Sequence, residues 1–197
     1  MLNIAVLISG FGTNLQCLID ACENNEINGK IKIVISNNKE AYGLIRAKDN
    51  NIKAIYENDE ERIIKILKRE NIDLVVLAGY LKIISKNFVA EFKNKIINVH
   101  PSLIPSFCGR GYYGKIVHQR VLEYGVKITG ATVHFVDEGA DTGPVIIQKS
   151  VVVKDDDTIE TLQKRVLHVE HEILREAVRL FCDKKIELKG RRVIINE

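Results

Sequence analysis

The chain has 197 residues, 46% of them hydrophobic, which is enough for a sizeable core, while 13 glycines and 3 prolines are too few for a linker-rich or low-complexity protein. Lys+Arg 29 against Asp+Glu 26 leaves +3, spread through mixed runs such as Asp59-Glu60-Glu61-Arg62; this suits an anionic small molecule and excludes a dedicated nucleic-acid binder with one concentrated basic face. No apolar run approaches the roughly 20 residues needed to span a bilayer, no leader is visible before the first strand, and Cys17, Cys22, Cys108 and Cys182 lack paired metal-ligand spacing, so a soluble cytoplasmic protein with reduced thiols and no metal is expected.

In chain order, Asn3 to Ile8 reads as a short strand, followed by the turn Ser9-Gly10-Phe11-Gly12-Thr13-Asn14. The next helix carries Leu15, Leu18, Ile19 and Cys22 at the 3.6-residue period. Ile31 to Ile35 is a strand, Tyr42 to Asn50 a helix and Lys53 to Tyr56 a brief strand. Asp59 to Glu70 is an amphipathic helix with Ile63, Ile66 and Leu67 inward. Asp73 to Ala78 is a fully apolar strand ending at Gly79, and a helix with Phe88, Val89 and Phe92 leads into Ile96-Ile97-Asn98. The second half holds a helix from Tyr113 to Glu123, strands over Thr129 to Val136 and Pro144 to Val153, a long helix from Thr158 to Cys182 and a basic, strand-like tail from Lys184 to Glu197. The run Asp155-Asp156-Asp157-Thr158 is expected to cap the long helix rather than to bind metal.

Near-continuous apolar strands alternating with amphipathic helices imply helices on both faces of a parallel sheet. The expected class is α/β: one domain over residues 1–197, with a mostly parallel, doubly wound sheet and an antiparallel C-terminal portion. Ligands bind such sheets at the carboxyl ends of the strands. That rule selects loops 9–14, 79–84 and 98–111.

In the first loop, Gly10 and Gly12 permit a tight turn, and the helix start at Thr13 and Asn14 offers unpaired amides suited to a monophosphate. Leu15 replaces the third small residue of a dinucleotide fingerprint, and no Lys-Ser/Thr pair follows. An ordinary glycine turn remains the alternative. In Asn98-Val99-His100-Pro101, residues two apart share a face, so an amide and an imidazole can project side by side and stabilise an oxyanion. A surface histidine beside a turn is the plainer reading. Asp141, between Gly139 and Gly143, can raise a histidine pKa and relay a proton, or only bond its own turn. His134 alternates with Thr132 and Val136 and is expected to be a half-buried structural residue, with a supporting role near the site possible by position. His118 and His171 are expected on helix surfaces. His168 lies near Glu170 outside any metal-ligand pattern.

Four segments then carry a resemblance: Ile8-Ser9-Gly10-Phe11-Gly12-Thr13-Asn14-Leu15-Gln16, Val75-Val76-Leu77-Ala78-Gly79-Tyr80, Asn98-Val99-His100-Pro101-Ser102-Leu103-Ile104-Pro105, and Val133 to Glu138 continuing to Asp141-Thr142-Gly143-Pro144. In this order they make the chain resemble the folate-dependent formyltransferase family almost end to end. The resemblance implies transfer of the formyl group of 10-formyltetrahydrofolate to the amine of 5-phosphoribosylglycinamide (GAR) in purine synthesis. Another 10-formyltetrahydrofolate-dependent transferase or hydrolase of the family is the alternative.

It further implies that Asn98, His100 and Asp141 are catalytic, that Gly12, Thr13 and Asn14 hold the substrate phosphate, and that Glu170 contacts its ribose. Leu81, Lys82, Ile83 and Ile84, with Asp137, Glu138, Gly139, Ala140 and Asp141, would line the folate pocket, and His134 would support the site. Family members with tRNA-binding or regulatory domains are longer, so neither extra domain is expected. A cytoplasmic monomer or weak homodimer without nucleic-acid or membrane partners fits. Lys82 departs from the arginine common at its position, and residues 106–114 are longer and richer in glycine than the common pattern.

Overall fold

The computed structural model describes residues 1–196. It runs β1 (Leu2–Ile8), α1 (Thr13–Glu23), β2 (Gly29–Ser36), α2 (Tyr42–Asp49), β3 (Lys53–Tyr56), α3 (Glu60–Arg69), β4 (Leu74–Leu77), α4 (Lys86–Glu91), β5 (Ile96–His100), α5 (Lys115–Tyr124), β6 (Ile128–Phe135), β7 (Val145–Val152), α6 (Ile159–Cys182), β8 (Ile186–Lys189) and β9 (Arg192–Ile195). Seven strands form one sheet in the order β3-β2-β1-β4-β5-β6-β7. It is parallel from β3 to β5 and antiparallel where β6 joins β5 and β7 joins β6. The expected class therefore holds. The tail forms its own hairpin, β8 with β9, instead of extending the sheet.

The strands are apolar at consecutive positions because both faces are covered. Ile4, Val6, Ile8, Leu74 and Val76 pack in one core with Leu15 and Leu18 of α1 and Val166 and Ile173 of α6. The alternate residues Ala5, Leu7, Ile33, Ile35, Val75 and Leu77 pack in the other with Ile63 and Leu67 of α3 and Phe88 of α4. In α3 the fully buried residues are Ile63, Ile64 and Leu67, while Ile66 is only partly covered at the edge of that core.

Local end signals fix the helices. Asp59 caps α3 by accepting from the Arg62 amide, and the helix has Glu60 and Glu61 in its first turn and Lys68 and Arg69 in its last, which complements the helix dipole. At α6 the Thr158 and Thr161 side chains exchange hydrogen bonds with each other's amides, and Asp157 pairs with Arg165. The cap itself is thus Thr158, and of the acidic run Asp157 supports it by accepting from the Thr161 hydroxyl, while Asp155 pairs with Lys127.

Two histidines are placed differently from expectation. His118 is only 1% exposed, because Val117, His118 and Val121 together form the inward face of α5. His171 is half-buried, since α6 packs on α1 as well as on the sheet; the Cys17 thiol donates to the His171 carbonyl oxygen at 3.4 Å. Among the described residues, no helix is long and apolar enough to cross a membrane.

Candidate active site

β5 ends beside β4 with Asn98 opposite Leu77, so Asn98 reaches the carboxyl edge of the parallel strands. On its other side Asn98 pairs with His134 of antiparallel β6, and His100 pairs with Thr132. The β6–β7 connection leaves with the Val136 amide bonded to Ile96, then folds back toward β5. Gly143 permits that return: a Cβ there would lie 1.8 Å from the Phe135 carbonyl oxygen. Asp141 is held with φ +57 at the turn, and its carboxylate comes to lie between Asn98, His100 and His134.

The distances define a compact cluster. Asn98 Nδ2 donates to His134 Nε2 at 3.1 Å and lies 3.5 Å from Asp141 Oδ1. The His134 Nδ1–H points to the Phe135 carbonyl at 2.8 Å, which leaves its Nε2 lone pair for the Asn98 amide and so orients that amide. His100 Nδ1 faces Asp141 Oδ2 at 3.5 Å, while Nε2 donates to the Phe107 carbonyl at 2.9 Å. Asp141 Oδ2 also accepts from the Gly109 amide at 2.8 Å. The structure thus brings the three candidate catalytic side chains together, and His134 joins them fully buried rather than half-buried.

Burial and charge act against each other at this cluster. Burial pulls His100 below its ordinary pKa, more strongly than the Asp141 charge and the Phe107 carbonyl pull it up, with His134 adding to the downward pull. Burial would raise the Asp141 carboxyl, but the neighbouring His134 and His100 rings and the Gly109 amide outweigh it and hold the group below the usual range. Asp141 is therefore a carboxylate at neutral pH, beside an imidazole whose proton responds to any negative charge that develops nearby. An amide donor and an imidazolium converging on one point can stabilise an oxyanion, and the carboxylate can steady the imidazolium.

The first loop lies at the neighbouring edge of the sheet. Gly12 adopts φ +76, and a Cβ there would come within 2.7 Å of Gly43 Cα, so only glycine lets this loop lie against α2. Among the described residues no side chain caps α1, so the amides of its first turn at Thr13 and Asn14 are left without a capping partner. Asn14 Nδ2 donates to Glu170 Oε2 at 2.9 Å, while the buried Asn14 Oδ1 has no partner. Burial pushes the Glu170 carboxyl up to about 7, with the Asn14 hydrogen bond pulling it partly back. A buried amide oxygen free among the described residues, beside a carboxyl that keeps its proton up to about pH 7, is a pair that ligand hydroxyls would satisfy.

A cavity of about 480 Å³ takes in Asn98, His100, His134, Asp141 and Glu170. Its walls include Leu81, Lys82, Ile83 and Ile84 on one side and Asp137, Gly139 and Ala140 on the other. Leu81 and Ile83 are largely exposed and form an apolar lip to the cavity. Glu138 is not brought to this wall; it pairs with Lys86 at 2.9 Å on the outer surface. The Lys82 ammonium is tied to the Asn58 carbonyl at 2.7 Å. Thr13 borders a separate groove along α1 and α6.

Sequence reasoning missed three groups. His118 lines the same cavity, with Nδ1 unpartnered and its pKa pushed to about 4 by burial and then by His100, so it is a neutral imidazole near pH 7. Its place on the apolar face with Val117 and Val121 was a usable signal. The Phe107 carbonyl and the Gly109 amide are main-chain groups and carry no signature. Among the described residues no cluster of His, Cys, Asp and Glu is arranged to hold a metal.

A formyl transferase family model matches residues 2–178. A phosphoribosylglycinamide formyltransferase of Haemophilus influenzae is 40% identical over 198 residues, covering 96% of this chain and 91% of that protein. A chloroplastic phosphoribosylglycinamide formyltransferase of Arabidopsis thaliana is 37% identical over 194 residues; the chain spans 66% of that plant relative and 62% of the one from Vigna unguiculata. The crystal structure of glycinamide ribonucleotide transformylase 1 from Symbiobacterium toebii superposes with a TM-score of 0.95 at 40% identity, over all of this chain and 95% of that one.

Proposed function

This chain belongs to the formyl transferase family, and on that premise we propose that it transfers the formyl group of 10-formyltetrahydrofolate to the amine of GAR. The observation that carries the reading is the convergence of Asn98, His100 and Asp141 on a cavity that also takes in Glu170, whose carboxyl accepts from Asn14 behind it. The names of the relatives support the acceptor and the formyl group, and the folate donor is part of the proposal.

In this reading the amides at Gly12, Thr13 and Asn14 receive the GAR phosphate, and Asn14 with Glu170 receives the ribose hydroxyls. The apolar lip of Leu81, Ile83 and Ile84 and the backbone of residues 137–141 suit a flat conjugated ring with hydrogen-bonding edges, which is the chemistry of a reduced folate. Lys82 stands at the rim for the anionic tail, and Glu138 acts only at the outer edge. A cytoplasmic monomer or weak homodimer acting on two small molecules completes the proposal.

The uncharged amine attacks the formyl carbon, and the carbonyl oxygen gains charge as the C–N bond forms. Asn98 Nδ2 turns from its long contact with Asp141 toward that oxygen. His100, whose affinity for a proton rises as the oxyanion develops, turns its Nδ1–H from the long contact with Asp141 to that oxygen, while Nε2–H stays on the Phe107 carbonyl. Asp141 holds the imidazolium and passes the amine proton on to the departing folate nitrogen; the C–N bond to folate then breaks, leaving tetrahydrofolate and formylated GAR. His134 keeps the Asn98 amide oriented. Absorbance measurement of folate product formation by the purified chain with both substrates tests the reading, with Asp141→Asn as the control. Product that forms only with GAR supports it, and equal release with or without GAR would assign a hydrolase instead.

A further inference from the structure

We propose that the main-chain segment Phe107–Gly109 is a positioning clamp for the proposed transfer, its carbonyl fixing the far nitrogen of His100 and its amide fixing the Asp141 carboxylate so that the two face each other. The inference rests on the transfer reading above, but the clamp itself stands on distances. The Gly109 amide lies 2.8 Å from Asp141, whereas Asn98, His100 and His134 approach that carboxylate no closer than 3.5, 3.5 and 3.6 Å. Good hydrogen bonds fall at about 2.7–3.2 Å. Gly109 is therefore the one short anchor of this carboxylate among the described residues. Likewise the Phe107 carbonyl at 2.9 Å is the short contact of the His100 ring, and Asp141 at 3.5 Å the long one.

The segment is built to aim those two groups inward. Phe107 sits at φ +49 and Gly109 at φ +88, both in the left-handed region. A bulky side chain rarely adopts that region unless its surroundings impose it, and such strain gathers at functional sites. The surroundings here do impose it. The Phe107 ring meets Tyr112 and Tyr124 edge-on, with centroids 6.4 and 5.9 Å away. Behind it, Ser102 Oγ donates to the Ser106 carbonyl at 2.6 Å, Thr132 Oγ1 donates to the Ser102 carbonyl at 2.6 Å, and Gln148 bonds both Thr132 and the Ile104 carbonyl. The loop is thereby tied to β6 and β7.

The electrostatic consequence has a definite sign. An acceptor on His100 raises its proton affinity, and a donor on Asp141 lowers that of the carboxyl. The clamp therefore widens the pH range in which carboxylate and imidazolium coexist. Other titratable groups facing them are His134 from β6 and His118 from α5 on the His100 side, and His134 and the half-buried Cys108 thiol on the Asp141 side. Neither histidine supplies a short bond to the carboxylate.

Gly109→Ala tests the clamp. Space is not the obstacle, since the nearest atom to an added Cβ is the Ala140 carbonyl oxygen at 3.9 Å, but φ +88 disfavours any L side chain and the turn must relax away from Asp141. Gly111→Ala is the control: it has the same φ of +88 and open space, so it strains the same loop without a hydrogen bond to the cluster. With the turn relaxed, the unanchored Asp141 carboxylate and the Phe107 carbonyl both draw away from His100, so NMR titration of its ring in the free protein should move down by about half a unit or more in Gly109→Ala and stay in place in Gly111→Ala. In the transfer assay, Gly109→Ala should lower kcat about tenfold with KM for each substrate within about threefold, and shift the acid limb of kcat to higher pH as Asp141 loses its donor. An unmoved His100 titration in Gly109→Ala, or equal movement in both variants, overturns the clamp. If the wild-type chain transfers no formyl group, the transfer reading fails while the titration still decides the clamp.

Discussion

Two loops at one edge of the sheet approach the proposed ligands by different means. Residues 9–14 use main-chain amides at the start of α1, close to the strand that precedes them, and depend on glycine where the backbone must touch α2. Residues 136–143 instead carry one carboxylate back to a cluster whose other members come from β5 and β6. The first is a local device whose parts lie within six consecutive residues. The second exists only because an antiparallel strand sets His134 beside Asn98 and a glycine lets the chain double back. In the proposed reading the binding groups are modular, whereas the reacting groups are assembled from distant segments.

The largest effect should come from breaking the assembled region. Asn98→Ala or Asp141→Ala should each lower kcat by about 100- to 1000-fold, since removal of one oxyanion-type donor or its support costs about 3–4 kcal/mol of barrier. Circular dichroism and the melting temperature should remain close to wild type. Near-normal turnover in either variant would remove the cluster from the mechanism and leave the fold unexplained by it.

Glu170 joins the two regions, and Glu170→Gln sharpens the contrast. Its buried carboxyl titrates at about 7 in the fold against 4.5 as the ordinary value. A carboxyl raised in this way contributes its full stability below the unfolded value and loses it as pH rises toward the folded one. At 1.36 kcal/mol per unit, that cost reaches about 3 kcal/mol above pH 7, and the glutamine variant escapes it. Thermal unfolding at pH 5.5 and pH 8 should therefore show the variant gaining on wild type with rising pH, while KM for GAR increases by about tenfold as the ribose contact weakens. A stability difference independent of pH would count against a neutral Glu170 in the fold.

Thr158→Ala lies outside both regions and supplies the baseline. Loss of the α6 cap should cost about 1 kcal/mol, or about 2–4 °C in melting temperature for a chain of this size. The kcat should be unchanged. A tenfold loss of turnover would instead mean that the far end of α6 governs the position of Glu170.

Much of the fold was legible from spacing alone. Continuous apolar runs located most strands of the main sheet and the 3.6-residue period its helices, and Asp59 and Thr158 marked true helix starts, because these features depend on neighbours a few residues away. The tail read as strand, but its pairing as a separate hairpin was not readable. His118 was misplaced because a single polar residue on α5 says nothing of what covers it, although Val117 and Val121 mark the same face.

The site divided along the same line. Residues 9–14 could be read as a candidate anion turn from type and order, since glycines and a helix start act over a few bonds. For Asn98, His100 and Asp141 spacing by itself determined only that the first two share a strand face, and the resemblance alone joined the third to them. Only the tertiary structure decided that Asp141 meets them, that His134 orients Asn98, and that a main-chain amide at Gly109 anchors the carboxylate. The physical reason is separation: a hydrogen bond between residues 32 or 43 positions apart depends on strand pairing and loop return, which no local pattern encodes.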